Sequence, residues 1–222
     1  DYSTRELQSR LTPQQVLQIL KDGHQRFRTG ERLTRDLGRQ VSATSSGQHP
    51  LAVILSCIDS RTPSELIFDL GLGDIFSVRI AGNIISREVL GSMEYACAVA
   101  GAKLIVVMGH TRCGAVTAAV DLARTAETAL NATGCQHLEP IIQVIQQSID
   151  PNSYKQLEDL SASEKEIFIN DVTRGNVSRV TDVVFGQSAI LNRLHEEGRV
   201  AIIGAIYDVV TGEIEFLPHA DE

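Results

Sequence analysis

The sequence predicts an α/β protein with a mostly parallel central β-sheet flanked by helices and a helical N-terminal arm. Three observations carry this. Apolar runs of strand length lie at residues 51–57 (LAVILSC), 74–81 (DIFSVRIA) and 102–110 (AKLIVVMGH). Helix-length segments, TPSELIFDLG and SREVLGSMEYACAVAG, separate them. The runs are continuous in Val, Ile and Leu rather than alternating, as strands are when both faces of a parallel sheet are covered.

The elements follow in chain order. Residues 11–28 form the helix of the arm: Thr12 suits the N-cap, Pro13 the first helical position, and Val16, Leu17, Leu20 and Phe27 recur at helical spacing. Residues 33–49 read as a polar, turn-like connection with TSSG as a loop. After the third strand, AVTAAVDLARTAETAL, LEPIIQVIQQSI and SASEKEIFINDVTRGNVSRVTDVVFG are helix formers interrupted by DPNS. A fourth apolar run, RVAIIGAIYDVVTGEIEFL, continues into a strand-turn-strand pattern with Thr211-Gly212 at the turn. No internal repeat or linker is visible, so residues 1–222 read as one domain, with 1–32 as the arm and 50–222 as the α/β core.

Composition narrows the function. A formal charge of −8 with no dense basic run excludes a nucleic-acid surface. No apolar stretch approaches the roughly 20 residues of a bilayer span, and no signal peptide is visible. Four Cys, at 57, 97, 113 and 135, are too few and too scattered for a disulfide scaffold and read as thiols in a reducing, cytoplasmic setting. The chain opens on Asp rather than Met, as a processed product or an excised piece would.

Two predicted strands deliver metal-ligand side chains as they finish. LAVILSC delivers Cys57; AKLIVVMGH delivers His110, followed in HTRCG by Cys113. In open α/β sheets, ligand sites form beyond the carboxyl ends of strands. Two thiolates and an imidazole suit Zn²⁺, and three protein ligands leave a fourth position free, as in catalytic zinc sites. In CIDSR, Cys57, Asp59 and Arg61 alternate, so an extended chain would point all three to one side. Asp59 could fill the fourth metal position, or pair with Arg61 and leave that position to water; a plain structural ion pair is the competing reading. Other candidates are weaker. Cys97 reads as a small core residue, Cys135 and His137 as an exposed loop between helices, and Gly82-Asn83 as a turn. His24, His49, His195 and His219 read as surface residues.

The order C-x-D-S-R (CIDSR), R-x-A-G-N (Arg79 to Asn83), E-Y-A (Glu94 to Ala96) and H-x-x-C-G (HTRCG) resembles the β-class carbonic anhydrases. The likeness runs from HQRF, through Gln48 nine residues before Cys57, to YDVVTG. It implies the fold of that class and zinc ligands Cys57, His110 and Cys113. It also implies an Asp59–Arg61 dyad that admits water to the metal when formed, with Asp59 itself a ligand in a closed, inactive form. The implied activity is reversible hydration of CO2 to bicarbonate and a proton through zinc-bound hydroxide. The implied substrate pocket comprises Gln48, Phe76, Ala81 and Tyr95, partly supplied by a neighbouring subunit, although Phe76 and Tyr95 read by residue type as core. The resemblance further implies a homodimer or higher oligomer, with residues 11–28 embracing the neighbour. Some members carry an inhibitory bicarbonate site of Trp, Arg and Tyr. Here the Trp position is Ile54 and the chain has no Trp, so Arg79 and Tyr207 alone remain and such inhibition is expected to be absent or weak. Two alternatives stay open: a carbon disulfide or carbonyl sulfide hydrolase on the same fold, and a non-catalytic regulatory domain. The wording from CIDSR to RIAGN is also similar to anhydrase domains fused behind SulP-type anion transporters, so fusion to a membrane transporter is a further expectation.

Overall fold

The computed structural model describes residues 3–123, 125, 127–153 and 160–217. The elements are α1 (Arg5–Arg10), α2 (Pro13–Thr29), α3 (Leu37–Thr44), β1 (Ala52–Ser56), α4 (Ser64–Ile67), β2 (Ile75–Arg79), α5 (Arg87–Glu94), β3 (Leu104–His110), α6 (Gly114–Leu122), α7 (Ala129–Thr133), α8 (Glu139–Gln146), α9 (Ala162–Gln187), α10 (Ala189–Glu196), β4 (Ala201–Tyr207) and β5 (Ile214–Phe216). The strands form one five-stranded sheet in the order β2-β1-β3-β4-β5. β1 to β4 run parallel, and β5 closes the edge antiparallel to β4. The α/β class and the mostly parallel sheet are as the sequence predicts.

The continuous apolar runs serve two faces at once. Val53, Leu55, Ile105 and Val107 point toward α5, α9 and α10, where they meet Val89, Met93, Val177, Val180 and Leu191. Their neighbours Ala52, Ile54, Leu104, Val106 and Met108 point the other way, onto Val16, Leu17 and Leu20 of α2 and onto Phe68. Alternation survives in direction while polarity is lost, because each face has its own helical cover. A third cluster sits past the strand ends, where α6, α8 and α9 close around Cys57 and Cys113.

Several local expectations need correction. Residues 33–49 are not all connection, because α3 forms within them. Asp36 caps it by accepting from the Arg39 N–H at 2.9 Å, and buried Gln40 accepts from the Leu72 N–H at 3.0 Å. That tie to a segment 32 residues away lies outside any local window. The expected helix 115–130 is two helices, since α6 stops at Leu122 and Thr128 caps α7 anew. His24 is buried rather than at the surface, its Nδ1 3.2 Å from the Ile67 carbonyl oxygen; His49 and His195 are half-buried, and His219 lies outside the described residues. Helix α2 starts where Thr12 and Pro13 indicate, with a capping box to Gln15, and its apolar stripe packs on this chain's own sheet; a short helix that the sequence reading did not separate, α1, precedes it. The turn after β4 has Gly212 in the left-handed region at φ 73°, as the Thr211-Gly212 signal predicts.

Candidate metal centre

Parallel register places the candidate ligands. β1 and β3 are aligned so that Ser56 faces Met108, and each strand therefore ends at the same edge of the sheet. Cys57 is the first residue past β1, His110 is the last of β3, and Cys113 is the N-cap of α6. The ligand atoms of the three all lie within 4.8 Å of one another. Donors held about 2.0 to 2.3 Å from one tetrahedral zinc ion lie roughly 3.5 to 3.8 Å apart, inside that limit.

The surroundings prepare these donors. His110 is buried, and its Nδ1–H donates to the Thr111 carbonyl at 2.9 Å, so the Nε2 lone pair is turned into the site. Nε2 has no hydrogen-bond partner among the described residues, which is costly for a buried polar atom unless something such as a cation occupies its lone pair. Donation from Cys113 pulls the Cys57 thiol well below its ordinary range against the effect of burial, while the same bond and burial push Cys113 up. The Gly82 N–H adds a donor to Cys57 Sγ at 3.4 Å. Two cysteine sulfurs, whose protons metal binding would displace, and an imidazole with a directed lone pair form a donor set that fits zinc.

Asp59 and Arg61 meet, but not by strand alternation. β1 ends at Ser56, and residues 57–61 turn instead of extending. The Asp59 Oδ1 accepts from the Arg61 backbone N–H at 2.9 Å and from Nε at 3.0 Å, while Oδ2 accepts from Nη2 at 2.8 Å. The turn thus folds Arg61 back onto the carboxylate. Oδ2 lies 3.8 Å from His110 Nε2, so the carboxylate borders the cluster without sitting in it. The Arg61 hydrogen bonds hold the Asp59 carboxyl down at about 2 despite the opposing effect of burial.

The other candidates divide. Ala81 adjoins Gly82 and is half-buried at the cluster. Gln48 is exposed and leads into the amino end of β1, whereas Cys57 leaves its carboxyl end; five strand residues put about 17 Å between those ends. Phe76 pairs with Val53 in register, and Tyr95 is 53% exposed rather than core, so a core reading fails for it. Their ring centroids are 6.4 Å apart, and together they line an open groove of about 510 Å³ that contains none of the three donor residues. A π-helical turn over Tyr95–Val99 continues α5 and presents the ring there. Cys97 is buried in the core and Cys135 and His137 are exposed between α7 and α8, as expected.

Similarity to known proteins agrees with this geometry. The carbonic anhydrase family model matches residues 52–214. The chain belongs to the carbonic anhydrase family. A carbonic anhydrase of Mycolicibacterium smegmatis is 34% identical over 209 residues, covering 93% of this chain and 94% of that protein. A carbonic anhydrase 2 of Mycobacterium tuberculosis is 46% identical over 110 residues, 49% of this chain and 53% of that one. Among solved structures, the β-carbonic anhydrase CafA of Aspergillus fumigatus superposes with a TM-score of 0.66 at 28% identity, over 81% of each chain. A tetrameric β-carbonic anhydrase of Sordaria macrospora shares the fold, with a TM-score of 0.68 at 21% identity over 82% of this chain and 91% of that one. The family is therefore that of the β-class carbonic anhydrases. No helix among the described residues is long and apolar enough to cross a membrane.

Sequence reasoning missed some groups that hold this carbonic anhydrase site together. Arg79 donates through Nε to the Cys57 carbonyl at 3.0 Å and through Nη2 to that of Asp59. Arg112, at φ 55° between two candidate ligands, donates through Nε to Glu166 at 2.7 Å and through its backbone N–H to Asn170 at 3.4 Å. The positions of Arg79 and Arg112 inside RIAGN and HTRCG were visible in the sequence. Their partners were not.

Proposed function

We propose that the chain catalyses zinc-dependent, reversible hydration of CO2 to bicarbonate and a proton. The observation that carries this is the Cys57–His110–Cys113 cluster with the Arg61-bound carboxylate of Asp59 3.8 Å from His110 Nε2. Bound by the three donors, zinc supplies a Lewis acid and an acidified water at neutral pH, as is established for the carbonic anhydrases with three His ligands. Asp59, ionised because Arg61 stabilises its charge, can only accept a hydrogen bond; it orients the attacking oxygen so that a lone pair faces the carbon of CO2. Arg61 holds the Asp59 carboxylate beside the cluster rather than in it, with Oδ2 3.8 Å from His110 Nε2, and Arg79 donates to the carbonyls of Cys57 and Asp59. Rotation of Asp59 off Arg61 would close the fourth position. The proton of the net reaction is the one lost by the water that supplies the hydroxide, and it passes to buffer.

In this reading Ala81 flanks the substrate beside its own cluster. Gln48, Phe76 and Tyr95 serve the centre of a neighbouring subunit in a homodimer or larger assembly, which suits their placement on open surface away from this chain's donors. Free thiols as ligands suit a reducing, cytoplasmic setting. Stopped-flow CO2 hydration against pH, with zinc measured on the same sample and carbon disulfide and carbonyl sulfide assayed in parallel, tests the proposal. CO2 turnover proportional to bound zinc is expected. Sulfide release without CO2 turnover would reassign the substrate, and a metal-free active enzyme would end the reading.

A further inference from the structure

Gly82 presents its N–H to Cys57 Sγ from a conformation that glycine does not hold by itself. It sits at φ 67°, ψ 16°, in the left-handed region, and Asn83 follows at φ 42°. Glycine visits positive and negative φ about equally, so steric preference cannot keep this N–H aimed at the sulfur. The turn closes on itself through the Asn83 N–H, which donates to the Ile80 carbonyl at 2.9 Å, and a second hold on the glycine comes from outside it.

A chain of polar contacts from α9 and α8 reaches this glycine. Asn176, fully buried in α9, donates through Nδ2 to the Gly82 carbonyl at 2.9 Å across 94 residues of sequence. The Asn176 Oδ1 accepts from the Ser148 hydroxyl at 3.3 Å. Arg179 in turn donates through Nε to Ser148 Oγ at 3.1 Å, while its Nη1 and Nη2 are tied to Gln147 and the Val144 carbonyl. Both ends of the Asn176 amide are thus used, and the side chain has one orientation that satisfies them. On the other side Ile145 leaves no room: a Cβ on Gly82 would come 2.5 Å from its Cδ1.

We propose that Asn176 is a positioning residue of the metal centre: it locks Gly82 so that the Gly82 N–H donates to the Cys57 sulfur. This rests on Cys57 being a metal ligand. An N–H donor withdraws charge from a thiolate and so weakens its donation to a metal; partners of this kind alter metal affinity about 10- to 100-fold when removed. Buried Asn176 also closes the polar path between α8, α9 and the glycine turn, so its amide is committed to the centre rather than to either helix alone.

Cobalt(II) replaces zinc as the probe. The wild-type protein tests the metal reading by itself: uptake of one Co²⁺ with thiolate-to-cobalt charge-transfer bands is expected, and no uptake would remove the premise. Asn176→Leu tests the inference. Its charge-transfer bands should move to longer wavelength, because the freed thiolate is a better donor, and chelator competition should show zinc affinity changed by about tenfold or more. A folded Asn176→Leu protein, by circular dichroism and oligomeric size, with the wild-type spectrum and affinity would overturn the proposal. Ser148→Ala keeps the amide but frees its acceptor end, and decides the matter if the first variant does not fold. A band shift in the same direction with an affinity change of about threefold supports the lock, and wild-type values overturn it.

Discussion

Asp59 and Arg61, two residues apart, are joined by three hydrogen bonds, one of them through the Arg61 backbone N–H. The carboxylate is therefore held even though the Arg61 side chain is half exposed. An exposed ion pair contributes little stability, so the role of this one lies in orientation. Arg61→Ala should leave zinc content and melting temperature near wild type while lowering kcat by about 100-fold, in the range for loss of a positioned group. Arg61→Lys should not restore the rate, because an ammonium cannot make the forked contact. Stopped-flow CO2 hydration with metal analysis checks both.

Metal removal should act on stability as well as activity. The cluster lies among the buried residues of α6, α8 and α9, and His110 Nε2 has no hydrogen-bond partner among the described residues. Dialysis against a chelator should abolish activity and lower the melting temperature, and added Zn²⁺ should restore both. Cys57→Ala should lose zinc under conditions in which wild type keeps it. Undiminished activity in that variant would refute the assignment of Cys57.

Gly82→Ala should be among the more damaging single changes. The new methyl would meet Ile145 Cδ1 at 2.5 Å, and a φ of 67° is strained for any residue with a Cβ. A cost of about 1 to 3 kcal/mol in denaturant unfolding is expected. Ile145→Val removes the offending methyl and should recover the steric part only; a double-mutant cycle separates it from the backbone part.

Asp69 offers a pH test remote from the metal. Its carboxylate is fully enclosed, with Arg26 at 2.6 Å, Arg35 at 2.5 Å and the Leu33 N–H at 3.2 Å. Burial would raise its pKa, but these hydrogen bonds together outweigh it and hold the carboxyl below its ordinary value. A depressed pKa gives stability that is complete above the unfolded value, about 3.9, and is lost as pH falls through the folded one. Thermal unfolding should therefore show wild type weakening as pH drops below about 4. Asp69→Asn should already be destabilised at pH 7, by about 3 to 5 kcal/mol, and should vary less across that acid range.

The sequence by itself determined the sheet and the donor set. Short continuous Val/Ile/Leu runs separated by helix-length segments read as strands of a parallel sheet, and β1 and β3 finish at one edge, so Cys57 and His110 arrive together, with Cys113 three residues on; β2, read the same way, is a part-exposed edge strand. The helix start at Thr12 was equally legible, because an N-cap is a local exchange of hydrogen bonds. Tertiary structure alone decided the rest. Helix α3 depends on Gln40 reaching Leu72, and His24 is buried because α2 lies against Ile67 and Phe68. Asp59 meets Arg61 through a turn where alternation suggested a strand, and Asn176 finds Gly82 from 94 residues away. Periodicity and caps are written within a few residues. Contacts between residues distant in sequence exist only once the sheet and its helices have packed.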